Sequence, residues 1–162
     1  MENQELNNVT GNFIEVKHEA IRRTNEAVDV INKKLGLRLK YPTVRFSLRG
    51  TTAGKAWWDR NLIEYSPSLL AGNVEDFLRQ TVRHEVAHLG ARAKWGASIK
   101  PHGKEWCSCC WHLGIPATRC HSYDTAVVPT RATSLMRGNP TRQTSEGLTI
   151  HTGMGKITRF DD

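Results

Sequence analysis

The chain of 162 residues contains no run of eighteen or more apolar residues, which excludes a helix that spans a bilayer. Its opening stretch, MENQELNNVTGNF, has neither the basic n-region nor the apolar h-region of a secretory signal, so a cytoplasmic protein is expected. There is no internal repeat and no heptad pattern. Cysteine is sparse: Cys107, Cys109, Cys110 and Cys120 are the only four, all within fourteen positions. Without an export signal disulfides are disfavoured, which leaves burial or metal binding for these thiols. Lysine and arginine form no block, although 23 of them against 16 acidic residues give a net charge of +7. Scattered positive charge of this size favours polyanions, nucleic acid above all, through counterion release.

What is present suits one compact domain with a small appendage. Hydrophobic residues at 38% and five tryptophans can furnish a core. Over residues 12–35 the apolar positions Phe13, Ile14, Ala20, Ile21, Ala27, Val28, Ile31 and Leu35 follow helical spacing, with Gly36 as the stop. TVRFSLR (43–49) reads as a strand, and two further strands flank Asp59-Arg60 as a hairpin. Asn73 is a plausible N-cap, with Glu75 and Asp76 in the first turn, for a helix from about 74 to the early 90s. Gly96 and Pro101 break that helix, and GKEWCSCCWHLG (103–114) forms another. Helix, strands, then helices is the order of an α+β domain.

The second long helix carries His84, Glu85 and His88 as H-E-x-x-H. Four residues advance a helix by about 400°, so the two histidines project from one face a turn apart. Both imidazoles can therefore reach one zinc ion at about 2.0–2.1 Å. Glu85 points about 100° away, where it can take a proton from water at the metal without being a ligand. A third ligand is still needed. Position 94, where a metzincin has its histidine, is Lys94, which removes that class. Glu105, His112 and His121 are candidates, but His102 is favoured because the Gly96–Pro101 segment can reverse the chain and return it to the metal.

These residues resemble the SprT family of zinc metallopeptidase-like proteins, related to the DNA-dependent protease Spartan. The resemblance is carried by TTAGKAWWDRNLIEYSPSLL (51–70), TVRHEVAHLGARAKWG (81–96) and the segment from PHGKEW (101–106) to LGIPATRCHSYD (113–124), spanning roughly residues 10–124. It implies a zincin-like minimal metallopeptidase domain over 10–124, with a small antiparallel sheet packed on helices. It also implies one catalytic zinc ion on His84, His88 and His102, with Glu85 as general base and acid. The T-A-G-x-A segment would form a hairpin beside the cleft, offering an edge to an extended polypeptide. Trp57 and Trp58 are candidates there for contact with substrate or DNA, or for packing of the sheet on the helices.

The departure from the family is C-terminal. Many relatives continue into a zinc ribbon of two C-x-x-C pairs, whereas residues 125–162 hold no cysteine. LTIHTGMGKITRF (148–160) is expected to be a metal-free hairpin, the remnant of that ribbon's shape. Cys107, Cys109 and Cys110 lie where the resemblance places a helix and are expected to be buried apolar groups, with a second metal site as the alternative. The expected function is zinc-dependent endopeptidase activity on a protein substrate, with DNA-bound or DNA-crosslinked proteins as targets and no membrane partner. The alternative is a DNA-associated binding or regulatory protein whose zinc is structural. Glu85 argues against it, since a structural site needs no base.

Overall fold

The computed structural model describes residues 2–118, 120–123 and 157–159. The elements in chain order are α1 (Glu2–Leu35), β1 (Thr43–Arg45), β2 (Gly54–Trp57), β3 (Leu62–Tyr65), α2 (Pro67–Gly72), α3 (Val74–Asp76), a π-helical turn (Phe77–Thr81), α4 (Val82–Trp95), α5 (Lys104–His112), β4 (Cys120–Ser122) and β5 (Ile157–Arg159).

Helix α1 buries a stripe of Ala20, Thr24, Ala27, Val28 and Ile31, and Phe13, Val16 and Leu35 extend it. Their spacing of three and four residues is what places them on one face. Ile14, read from the sequence as part of that face, lies a third of a turn off it and is 54% exposed. The one polar member of the stripe is satisfied. The Thr24 hydroxyl donates to the Ala20 carbonyl (2.7 Å) and lies 2.9 Å from the Tyr65 hydroxyl. Past Gly36 (φ 66°), Asn32 holds the returning chain by bonding both the amide and the carbonyl of Leu39.

The sheet order is β1-β3-β2. β2 and β3 form the expected antiparallel hairpin, with Gly54 opposite Tyr65 and Trp57 opposite Leu62. β1 pairs parallel with β3, Val44 opposite Ile63, so the sheet is mixed where an antiparallel one was expected. The cause is topological. The chain leaving β1 crosses β3's position and returns as β2 on its far side, which leaves β1 running with β3 rather than against it. The strand read over 43–49 keeps ladder geometry only to Arg45.

Ser66 caps α2 through its hydroxyl, which accepts from the Leu69 amide, and Pro67 occupies the first turn, where it loses no hydrogen bond. Asn73 departs from the expected side-chain cap. Its carbonyl accepts from the Phe77 amide, while its side-chain nitrogen donates back to the Leu69 carbonyl. The helical path then passes through the π turn, with the Val82 amide bonding to the Phe77 carbonyl, before continuing as α4.

Helix α4 is buried along most of its circumference, at Val82, His84, Glu85, Val86, Ala87, Leu89, Gly90 and Ala91. It packs against α1, α5 and β2. Gly96 (φ 87°) ends it, its amide bonded to the Arg92 carbonyl at 2.8 Å. The approach to α1 is close at Gly90, where a Cβ would come within 2.7 Å of Ile31 Cγ2. Helix α5 buries Trp106, Cys109 and Cys110 and ends at Gly114 (φ 68°). β4 and β5 pair antiparallel, with His121 opposite Thr158. The hairpin turn expected at Gly153–Gly155 and its first strand lie outside the described residues, as does most of 125–162. Among the described residues no helix is long and apolar enough to cross a membrane.

Gly90→Ala forces a methyl into the α1–α4 contact and should destabilise the domain by about 1–3 kcal/mol. A lowered urea midpoint at unchanged slope is the expected result.

Candidate metal centre

His84 and His88 stand one turn apart on α4, and His102 reaches them from the turn that follows Gly96 and Pro101. His102 itself has a left-handed backbone (φ 53°). Its Nε2 lies 3.1 Å from His84 Nε2 and 3.2 Å from His88 Nε2. Among the described residues these three form the group able to hold a metal ion, their donor atoms all within 4.8 Å of one another. Tetrahedral nitrogen ligands at about 2.0–2.1 Å from zinc are separated by about 3.3 Å, so the observed spacings fit. Burial, reinforced by the neighbouring His102 and Arg92, pushes the His88 pKa down to about 3. The ring is therefore neutral at physiological pH, the protonation state in which imidazole binds a metal.

Trp106 holds this cluster from behind. It is buried, with its ring centroid 4.7 Å from that of His84, 5.5 Å from His88 and 4.6 Å from His102. Its indole nitrogen donates to the His84 carbonyl at 3.4 Å. Sequence reasoning missed this role. Its trace in the sequence is position: Trp106 lies four residues after His102, on the first turn of α5.

Glu85 is 1% exposed and lies between α4 and strand β2, where the glycine at 54 makes room for it. Together with His88, Arg92 and Pro101 it lines one wall of a cleft of about 340 Å³ whose other wall is Lys55, Ala56, Trp57, Trp58 and Asp59. The two tryptophans have different surroundings. Trp57 donates from its indole nitrogen to Glu64 Oε2 (2.7 Å) and packs near the cationic groups of Lys55 and Arg60, at 4.6 and 5.1 Å from the ring centroid. Trp58 is 52% exposed at the mouth of the cleft.

Two of the rival third ligands, Glu105 and His112, stand outside the cluster. Glu105 is not among the grouped donors, and His112 lines a separate cavity with Arg23, Glu26 and Arg83. The His121 side chain lies outside the described residues. Cys109 and Cys110 are buried free thiols and Cys107 is partly buried. Burial pushes the Cys109 thiol up to about 12 and also raises that of Cys110, so both are neutral at physiological pH.

An α+β domain with three convergent histidines and a buried glutamate beside a cleft has the make-up of a metallopeptidase-like protein. The SprT-like family matches residues 23–122, and the chain belongs to that family. It is 51% identical over 85 residues to Protein SprT of Pseudomonas syringae pv. syringae, covering 52% of each chain. It is 49% identical over 94 residues to Protein SprT of Pseudomonas aeruginosa strain LESB58, covering 57% of this chain and 55% of that one. The matched segment thus spans about half the length of the curated relatives. No solved structure matches the chain.

Trp106→Phe removes the indole donor and part of the support behind the imidazoles. It should weaken metal binding about 10-fold or more, read by competition of a cobalt(II)-loaded protein with a chelator. Alkylation of the native protein at pH 8 should leave Cys109 and Cys110 unmodified in peptide mass spectra, and unfolding should expose both.

Proposed function

We propose that the domain is a zinc-dependent endopeptidase built as a minimal zincin-like unit. The observation that carries this reading is a single cleft wall on which buried Glu85 accompanies His88, with His84 and His102 joined to His88 in one donor cluster. A purely structural metal site has no need of a carboxylate at its side or of an open cleft before it.

His84, His88 and His102 would hold the ion, three neutral nitrogen donors being the set found in catalytic zinc sites. Bound there, zinc supplies Lewis acidity toward a carbonyl and makes water acidic enough to lose a proton near neutral pH. Glu85 is the group that accepts that proton and later delivers it to the departing amine. Its burial keeps bulk water from competing for the carboxylate. Strand β2 is an outer member of the sheet and is paired only with β3 among the described residues, so its other edge would align an extended polypeptide along the cleft. Trp58 at the mouth offers that polypeptide an apolar surface.

The substrate we propose is protein bound or crosslinked to DNA. The net charge of +7 supports association with a polyanion. The family resemblance supports the protease half of the assignment.

Glu85→Gln should abolish cleavage while metal content stays stoichiometric, since the histidines are untouched. The assay is digestion of a DNA-binding protein, with and without single-stranded DNA, by wild type and variant carrying equal zinc. Equal cleavage by the two would overturn the mechanism, and equal cleavage with and without DNA would remove the DNA-linked part.

A further inference from the structure

Gly54 opens β2, pairs with Tyr65 and is buried. Its backbone is not left-handed, unlike that of Gly36, Gly50, Gly96 and Gly114, so no conformational demand calls for glycine at this position. Within a strand glycine is also a weak choice, because it gains nothing from packing and loses the most entropy on folding. A glycine kept in such a place signals that something else comes close.

The neighbour that comes close is Glu85. A Cβ built on Gly54 would lie 2.6 Å from Glu85 Oε1, 2.7 Å from Cγ and 2.8 Å from Cδ. All three distances are below the contact limit of carbon and oxygen, and all three belong to one side chain. The strand itself cannot retreat easily. The Ala53 carbonyl accepts from the Ser66 amide at 2.9 Å, and the β2–β3 ladder holds Gly54 against Tyr65. A methyl at position 54 would therefore displace the glutamate, not the backbone.

We propose that Gly54 is a positioning residue for Glu85: the absent side chain is the space that sets where the carboxylate stands relative to the three histidines. This rests on the protease reading for its effect on rate but not for its geometry. Catalysis is sensitive to displacements of this order, a 1 Å misplacement of a reacting group costing about 100-fold.

Gly54→Ala tests the proposal in two ways. In the zinc-loaded enzyme kcat should fall about 100-fold, while KM and cobalt(II) affinity stay within about threefold, because the three histidines and the tryptophan-bearing wall of the cleft keep their side chains. Gly90→Ala serves as the packing control and should lower the unfolding midpoint without this loss of kcat. In the metal-free protein a double-mutant cycle with Glu85→Ala reads the same contact without activity. Glu85→Ala deletes Oε1, Cγ and Cδ, so the drop in urea midpoint caused by Gly54→Ala in the wild-type background should disappear in the Glu85→Ala background. If Gly54→Ala alone does not fold, the double variant should, which is the same result in a stronger form. A kcat within twofold of wild type, or an equal midpoint drop in both backgrounds, would overturn the proposal. If the wild type shows no Glu85-dependent cleavage, the protease reading fails and the cycle alone decides Gly54.

Discussion

The site depends on a helix that is buried on nearly every side. Helix α4 carries two imidazoles and a carboxylate within five residues, and polar groups of this kind are costly to take out of water unless each has a defined place. The surrounding elements supply those places. Trp106 of α5 stacks on His88 and meets His84 and His102 edge-on, β2 leaves space for Glu85 at a glycine, and α1 closes to van der Waals distance at Gly90. Helices α1 and α5 and strand β2 each pack directly on α4, so its burial is shared among three neighbours.

Much of this was legible in the sequence because it is local. Two histidines four apart on a helix face the same way whatever surrounds them, and a glycine-proline break after the helix is enough to make a return by His102 reasonable. The hairpin around Asp59-Arg60 and the stops at Gly36, Gly96 and Gly114 were visible for the same reason. What could not be read was set by partners distant along the chain. The parallel pairing of β1 depends on which side of β3 the chain returns to, and Val44 and Ile63 look the same in either arrangement. The role of Trp106 depends on α5 packing under α4. The close approach of Glu85 to Gly54 joins residues thirty-one positions apart and leaves only an unexplained glycine in a strand.

The approach to helix α4 shows how a correct element can have an unexpected interior. A helix beginning near Asn73 and running to Trp95 describes the path, yet the turn at Phe77–Thr81 is wound as a π helix. Such a turn takes in an extra residue, so side chains before and after it do not follow one continuous 3.6-residue phase. Phe77 and Leu78 within it, and Val82, Val86 and Leu89 after it, are all buried. The hydrophobic pattern thus survived the change in winding, which is why the sequence alone gave no sign of it. Π turns of this kind occur often at functional sites, and this one ends three residues before His84.

The backbone at position 102 also limits what chemistry the site can evolve. With φ at 53° the residue sits in the left-handed region, which most side chains enter only at a cost. Of the amino acids that coordinate metals through side chains, histidine and aspartate are among those that tolerate it, whereas glutamate and cysteine are not favoured there. A mutational drift from His102 toward a thiolate or a longer carboxylate would therefore meet resistance from the main chain before the ion had any say. The turn acts as a filter on the ligand repertoire, and the identity of the third donor is constrained by conformation as well as by affinity.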